Sequence, residues 1–451
     1  MRLRHLLSIA LCLHLTVAAG VYYAGRRAAA PALVGQGGIA SFASDGHIYR
    51  SQIGALEKTL KEEGVAAWFR APALAHVRLY SLSFALFSPL FGQNILSAEP
   101  LNVIYYLGTL LLIFALGSEA FGEREGLIAA AMWAALFPSF LLHTTQLLRD
   151  PLFVVVALAL VLVSVRWLTT EYSLPGGLAA GALGGAAAGS LWFIKNTAWW
   201  VVLAIMCLGA TLSVARQAHR RNLLGGNLAG IALMLAIALG VSYSVTPYFL
   251  PKEFWSPDRP PAGAARSPEK IDARGASAAS SSADVAAAAD PADGRPPGGL
   301  FSRVAFMRSQ FVKFYPDAGS NLDADVRFGG ASDVARYLPR AALVGLCAPF
   351  PNMWVRAGER VGAKGRLLGG CETFVIYLVE LLALRSLWQR RRQLPVWLLS
   401  LIFLIGVTAL GMVVVNVGAL YRQRYLFWIL LVVVAADSVS RILPARFTRT
   451  I

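Results

Sequence analysis

The sequence has 451 residues, of which 57% are hydrophobic and 15% are charged, and its formal net charge at pH 7 is +16. A chain this apolar has too little polar surface to cover a soluble fold of its length, which excludes a soluble globular protein. The positive charge could suggest a nucleic-acid partner, but the arginines lie in short clusters between apolar stretches, where membrane orientation accounts for them. We therefore predict a membrane protein with no nucleic-acid partner.

The first apolar stretch, Leu6 to Ala24, follows Arg2 and Arg4. Small residues at Ala18 to Gly20 would suit signal-peptidase cleavage, so a removed signal peptide is the alternative to a retained anchor. We favour the anchor, because further spans follow and the first helix usually helps to set their orientation.

Nine further apolar stretches come close to the roughly 20 residues that a helix needs to cross a bilayer. They are centred on Leu101–Leu116, Leu127–Leu148, Leu152–Leu168, Pro175–Ile194, Thr197–Val214, Leu223–Phe249, Thr373–Trp388, Leu394–Val417 and Tyr425–Leu443. With the anchor they make about ten transmembrane helices, with both chain ends on one side of the membrane. The predicted fold class is an all-α polytopic membrane protein with interfacial helices in two long extracytoplasmic loops.

One more stretch, Ala73 to Phe91, is apolar but contains His76, Arg78 and a central Ser-Leu-Ser. Counting it as a span would move every later loop to the other side of the membrane. Without it, the cytoplasmic ends and loops hold fourteen arginines and the short outside loops hold four cations. Because positive charge is concentrated in cytoplasmic loops, we interpret this stretch as an interfacial or re-entrant helix.

The predicted topology divides the chain into four parts. They are a transmembrane core at 1–250 with a first outer loop at 25–99, a low-complexity segment at 251–299, an interfacial segment at 300–370, and a C-terminal part with three spans at 371–451. Pro257 to Gly299 is rich in Ala, Ser, Pro, Asp and Gly, so it is predicted to be disordered. From Leu300, aromatic residues are spaced as on an amphipathic helix lying on the membrane.

Glycines recur in the fifth predicted span with the small-xxx-small spacing that lets helices approach closely in lipid. They are Gly176, Gly177, Gly181, Gly184, Gly185 and Gly189. We predict a packing face here and no chemistry.

Polar side chains meet at the outer end of the predicted spans. Asp45 follows the first span, Asp150 stands between the third and fourth, and Lys195 ends the fifth. Arg422 and Arg424 precede the tenth span, in a short outside loop where positive charge is normally avoided. Charges at this depth are costly unless they are paired or solvated, so each is a functional candidate.

Structural roles are alternatives for some of these residues. Arg149 and Asp150 could pair with each other, and Asp150 before Pro151 fits a helix N-cap. Lys195 could merely extend to the interface. Asp45, in a polar loop, could be a solvated turn residue.

Three features resemble the GT-C glycosyltransferases, particularly the bacterial members similar to family 39. They are Asp45 soon after the first span, the stretch Leu101 to Asp150 with Gly117 to Arg124 and then Phe137-Pro138 inside it, and the position of Asp150 before a new span. The resemblance implies an enzyme that moves a sugar from a polyprenyl-phosphate donor to an acceptor. The reaction would take place at the extracytoplasmic face of the bacterial inner membrane.

The resemblance also implies a role for each outer residue. Asp45 is expected to be the general base for the acceptor hydroxyl and Asp150 to position the acceptor or a cation, and these two assignments could be exchanged. Cations must meet the charge that develops on the departing phosphate. The residues expected to bind the phosphate are Arg149, Lys195, Arg422 and Arg424. The residues expected to position the acceptor are His47, Tyr49, Asn196 and Asn416.

A divalent cation is the one cofactor left open. Asp317, Asp323 and Asp325 supply acidic oxygens on the predicted outer side, but their spacing does not match a calcium loop and a solvated turn is favoured. Scattered histidines indicate no transition-metal site, and they include His5, His14, His143 and His219.

Two rival functions stay open. An O-antigen polymerase or ligase would also use arginines, on a lipid pyrophosphate, but would need less from paired carboxylates near the first and third helices. A transporter or flippase of lipid-linked sugars should show charges midway through spans and repeat symmetry, and neither is evident in the sequence. The sugar and the acceptor, whether glycan, lipid or protein, are not determined by these residues.

Overall fold

A computed structural model describes residues 2–29, 31, 33–43, 45–244, 299–314, 319–355 and 362–443 of the chain. These residues form α-helices, short 3₁₀ turns and isolated β-bridges, with no β-strand among them. Within them, eight helical segments are long and apolar enough to cross a membrane, or up to nine if a bent pair counts as one span. The predicted all-α polytopic membrane fold is confirmed at this level.

Eleven helices make up the N-terminal half. They are α1 (Leu3–Arg26), α2 (Asp45–Glu62), α3 (Val65–Arg70), α4 (Ala75–Phe91), α5 (Glu99–Ala120), α6 (Glu123–Leu136), α7 (Pro138–Thr144), α8 (Asp150–Thr169), α9 (Leu174–Lys195), α10 (Trp199–Arg220) and α11 (Gly225–Ser244). Those of the C-terminal half are α12 (Leu300–Phe314), α13 (Ala331–Cys347), α14 (Gly362–Gln389), α15 (Leu394–Val413), α16 (Val417–Gln423) and α17 (Tyr425–Ile442).

The centre of the bundle is α17, in which every residue from Tyr425 to Ser438 is buried. Burial on all sides places this helix in the middle of the bundle. Accordingly, α17 packs against α5, α6, α8, α14 and α15. The N-terminus of α17 directly follows α16, so the position of α16 is fixed by the most buried element of the fold.

The predicted span Leu127 to Leu148 is not one continuous helix. It is divided into α6 and α7, which meet at an angle of 78°. Pro138 begins α7, and Phe137 before it has φ −122° and ψ 64°. Proline disfavours helical conformation in the residue before it and cannot donate a backbone hydrogen bond, which accounts for the break.

The predicted span Leu394 to Val417 also ends early, because a separate short helix begins inside its last turn. Asn416 is the N-cap of α16, and its side chain accepts a hydrogen bond of 3.0 Å from the Ala419 N–H. The last turn of the predicted span is therefore part of an irregular connection that leads to Arg422.

Glycines join α9 to α11, as the small-residue spacing predicted. A Cβ atom added at Gly177 would lie 2.0 Å from the carbonyl oxygen of Gly226, and one added at Gly181 would lie 2.2 Å from that of Gly230. Residue numbers increase together along both helices, so α9 and α11 run parallel. Backbone contact this close requires the absence of side chains.

Gly181→Ala is expected to lower the thermal stability of the purified protein by about 1–3 kcal/mol, because the new methyl group meets the backbone of Gly230 and forces the helices apart. The matched control is Gly240→Ala in α11, where an added Cβ has nothing within 4 Å. Unfolding midpoints of both variants in detergent check this prediction. Equal midpoints would contradict the close contact.

Two other predicted segments have different outcomes. The stretch Ala73 to Phe91 forms α4, which has 17 residues and packs against α2, and it is not among the eight candidate spans. The amphipathic pattern after Leu300 forms α12. The low-complexity segment up to residue 298 lies outside the described residues.

Candidate functional site

Charged residues from four separate parts of the chain meet around Arg422. The Arg422 guanidinium is 2.6 Å from Oδ2 of Asp45 and, through Nε, 2.8 Å from Oδ2 of Asp150. The other carboxylate oxygen of Asp150 is 3.3 Å from Nζ of Lys195. We call these residues, together with Arg149, the charged cluster. The proximity predicted for Asp45, Asp150, Lys195 and Arg422 is thus present.

Helix ends place the members of the charged cluster. Asp45 is the first residue of α2 and Asp150 the first residue of α8, where a carboxylate meets the positive end of the helix dipole. Lys195 is the last residue of α9, at the negative end of that helix. Its ammonium group also lies 5.3 Å from the centre of the Phe153 ring, a favourable position for a desolvated cation.

Buried hydrogen bonds hold the two aspartate-bearing loops together. The Ala40 N–H donates to Oε1 of Gln146 over 2.8 Å. The Tyr80 hydroxyl lies 2.8 Å from Oδ1 of Asn102 and 3.2 Å from the carbonyl oxygen of Leu148. Because these groups are buried and hydrogen-bonded, the backbone before Asp45 and the backbone before Asp150 are fixed relative to each other.

Arg149 differs from the other cations of the charged cluster. Within the part of the chain that the structure describes, its guanidinium makes no hydrogen bond and no ion pair. Burial opposes its charge, but Tyr49, Asp150 and Asp45 outweigh that effect and raise the pKa of Arg149. A half-buried arginine with unused donors is suited to bind an additional anion.

Arg422 is strongly held in its charged form. Burial alone would lower its pKa, but Asp150 and Asp45 outweigh burial and raise the pKa well above its ordinary value. Three cations face two carboxylates in the charged cluster, so its formal charge is one positive. The cluster therefore has room, in electrostatic terms, for one negative charge.

The residues predicted to position an acceptor do not all lie beside the charged cluster. Tyr49 is buried beside the charged cluster, and burial raises the pKa of its hydroxyl. His47 is exposed on the same helix as Asp45, and Asn196 is half-buried in the turn after Lys195. Asn416 instead caps α16.

Arg424 is not part of the charged cluster, although the sequence grouped it with Arg422. It is fully buried and donates to the carbonyl oxygens of Gly345, over 2.9 Å, and Ala348. Its guanidinium lies 4.5 Å from the centre of the Trp428 ring, and burial lowers its pKa to about 10. Arg424 thus joins the C-terminal end of α13 to the bundle.

A second polar group next to the charged cluster was missed by the sequence interpretation. Glu372 of α14 accepts hydrogen bonds from the Ser139 N–H, over 2.7 Å, and from the hydroxyls of Ser139 and Tyr421. The hydroxyl of Tyr425 is 2.8 Å from Oγ of Ser139 and 3.1 Å from Nδ1 of His143. We call these five residues the Glu372 network. The available signal was a carboxylate at the edge of an apolar run, which is costly unless it is paired.

His76 was also missed. It is fully buried, its ring is 4.4 Å from that of Tyr49, and neither ring nitrogen has a hydrogen-bond partner among the described residues. Burial and the charge of Arg149 lower the pKa of His76 to about 3, so the imidazole is neutral at physiological pH.

Asp323, in the acidic segment considered for a divalent cation, is bound by two other side chains. Asp323 accepts hydrogen bonds from Arg340, over 2.9 Å, and from the Tyr337 hydroxyl, over 2.8 Å. Asp317 lies outside the described residues. Over the described ranges, no group of three or more His, Cys, Asp or Glu side chains is placed to hold a metal ion.

Comparisons of the chain with protein-family models, curated proteins and solved structures found no match. The likeness to GT-C glycosyltransferases therefore depends on the sequence features given above. The geometry of the charged cluster is an independent observation from this chain.

Proposed function

We propose that this protein is a glycosyltransferase that moves a sugar from a polyprenyl-phosphate donor to an acceptor at the outer face of the bacterial inner membrane. The observation that supports it best is the charged cluster. Its aspartates are paired with Arg422, while Arg149 is left to receive an anion. A lipid-linked phosphate is an anion that reaches the end of a helix bundle from within the bilayer.

The topology of the proposal has ten spans. The helical segment from Leu174 to Arg220 has 47 residues and would be about 70 Å long if straight, more than twice the apolar thickness of a bilayer. The parallel contact of α9 with α11 supports an intervening reversal, with α10 crossing back. Counting this segment as two spans and the bent pair as one raises eight spans to ten.

The arginines at one end of this bundle support the proposed orientation. The end opposite the charged cluster holds Arg390 and Arg441, both bound to Asp437, and Arg124, which donates to the Ser440 carbonyl. Positive charge concentrates on the cytoplasmic side of membrane proteins. This distribution supports an extracytoplasmic position for the charged cluster.

The chemistry of sugar transfer fits these groups. A polyprenyl-phosphate sugar is a phosphodiester with one negative charge, and departure of the sugar leaves a phosphate with a second one. Arg149 would bind the diester first, and Arg422 and Lys195 would meet the charge that develops as the bond breaks. Interactions that strengthen during the reaction raise the rate, whereas uniform binding does not.

The same charge count favours a monophosphate over a pyrophosphate. The cluster carries one excess positive charge, which one phosphodiester balances and a pyrophosphate diester exceeds. This consideration favours the proposed function over an O-antigen polymerase or ligase. A flippase would bind the same donor but would form no glycosidic bond.

The test is sugar transfer from a radiolabelled polyprenyl-phosphate sugar to extracted membrane acceptors by the purified protein in detergent, where translocation across a bilayer is impossible. Asp45→Asn and Asp150→Asn are each expected to reduce transfer by about 10²-fold or more, because each leaves Arg422 without one of its two carboxylates. Transfer at the parental rate in both folded variants would refute the proposal. Use of pyrophosphate-linked donors alone would favour the polymerase or ligase.

A further inference from the structure

His143 lies at the edge of the charged cluster. Its ring is 5.0 Å from that of Phe42, in the loop before Asp45, and 5.6 Å from that of Tyr425. The charges of Arg422 and Asp150 both act on its imidazole. The bend between α6 and α7 creates this position, because a straight helix would carry residue 143 further along the axis of α6.

Hydrogen bonding fixes which nitrogen of His143 carries the proton. Nδ1 is 2.6 Å from the carbonyl oxygen of Ser139, which can only accept, so Nδ1 is the donor. Nε2 then has a lone pair. Among the described residues Nε2 has no hydrogen-bond partner, and it is not enclosed, in contrast to both nitrogens of His76.

The Glu372 network lies against the Nδ1 side of this ring. With Nδ1 donating, the Tyr425 hydroxyl is free to donate to Oγ of Ser139, and the Ser139 hydroxyl donates to Glu372. The Nδ1 hydrogen bond to the Ser139 carbonyl and the contact with Tyr425 keep the ring in one orientation.

Ion pairs engage most of the carboxylate oxygens in the charged cluster. Asp150 has a cation at each oxygen, Lys195 and Arg422, and Asp45 has Arg422 at Oδ2. Three of the four carboxylate oxygens therefore have a cation beside them. Nε2 of His143, by contrast, has no hydrogen bond or ion pair among the described residues.

We propose that His143, rather than Asp45, is the catalytic base that removes the proton from the acceptor hydroxyl, an inference that rests on the proposed function. The O–H bond of the acceptor breaks and its proton goes to Nε2. The acceptor oxygen forms a bond to the anomeric carbon while the bond from that carbon to the phosphate oxygen breaks. The electron pair of the broken bond stays on the phosphate, beside Arg149 and Arg422.

His143→Gln is expected to lower kcat by about 10²–10⁴-fold while the affinity for polyprenyl phosphate, used as a competing ligand, stays within about twofold of the parental value. In His143→Ala, added imidazole is expected to occupy the vacated space and restore part of the lost rate. A residue with only a packing role would give no such rescue. The matched control is His219→Gln, an exposed histidine at the end of α10.

A kcat within about tenfold of the parental value in His143→Gln would overturn the inference and leave Asp45 as the base. So would a lost rate in His143→Ala that imidazole does not restore although polyprenyl phosphate still binds. Absence of sugar transfer in the parental protein would instead overturn the proposed function itself.

A chemical measurement on the parental protein covers the case in which both variants fail to fold. Diethyl pyrocarbonate reacts with neutral imidazole nitrogens, and mass spectrometry locates the adduct. Modification of His143 together with loss of transfer is expected, and acceptor should protect against both. Full activity with His143 modified would overturn the inference.

Discussion

Arg422→Gln is expected to reduce sugar transfer strongly and also to destabilise the protein. The change removes the cation shared by Asp45 and Asp150, and removal of one partner from a buried ion pair costs about 3–5 kcal/mol. Loss of a donor that meets developing charge on the phosphate is expected to lower kcat by about 10²–10³-fold. Thermal unfolding and transfer assays on the same preparation measure both effects.

Arg424→Gln is the matched comparison, two residues away. It leaves the buried carbonyl oxygens of Gly345 and Ala348 without their donor, so thermal stability should fall. Transfer per folded molecule should stay near the parental rate, because Arg424 is not part of the charged cluster. A stable Arg424→Gln protein that transfers no sugar would instead support the phosphate-binding role that the sequence suggested.

Arg422 and Arg424 show what the sequence could and could not determine. Their position in a short loop between apolar stretches marked both as unusual, and that inference needed only topology. Residues two apart in a helical turn point about 200° away from each other, so both could not face one site. Which of them faces Asp45 depends on the packing of α16 and α17, which a hydropathy pattern does not contain.

The missed residues have a related explanation. Ser139 and His143 lie in an apolar run that was interpreted as one straight span, and a straight span would not present both to Glu372. The 78° bend at Pro138 brings them to α14 and α17. Phe137-Pro138 was visible in the sequence as a motif, but proline inside a membrane helix is often tolerated, so its presence alone did not predict a break.

Asp150 and Lys195 were identified because each stands where an apolar stretch ends, and Asp45 because it follows the first predicted span. A polar side chain at a helix end needs no further information to be assigned to one side of the membrane, once the number of spans is chosen. Their contacts required the fold, since loops separated by up to 377 residues meet at Arg422. These residues of the charged cluster could therefore be identified from the sequence, whereas the ion pairs between them could not.

The pairing leads to a prediction for Arg149 that differs from that for Arg422. Arg149→Gln is expected to weaken the binding of polyprenyl phosphate by about 1.5–3 kcal/mol, the contribution of hydrogen bonds to a charged group. Thermal stability should change little, because Arg149 has no hydrogen bond or ion pair to lose within the described residues. Competition binding and thermal unfolding measure the two quantities.

The control for this change is Arg327→Gln, which removes an exposed arginine that donates only to the carbonyl oxygens of Ala324 and Val326 among the described residues. It should alter neither ligand binding nor stability. If Arg149→Gln destabilised the protein as much as Arg422→Gln, Arg149 would be a structural partner of the aspartates and not the residue that binds the donor phosphate. The different changes in stability expected for two arginines in one cluster therefore separate binding of the donor from maintenance of the fold.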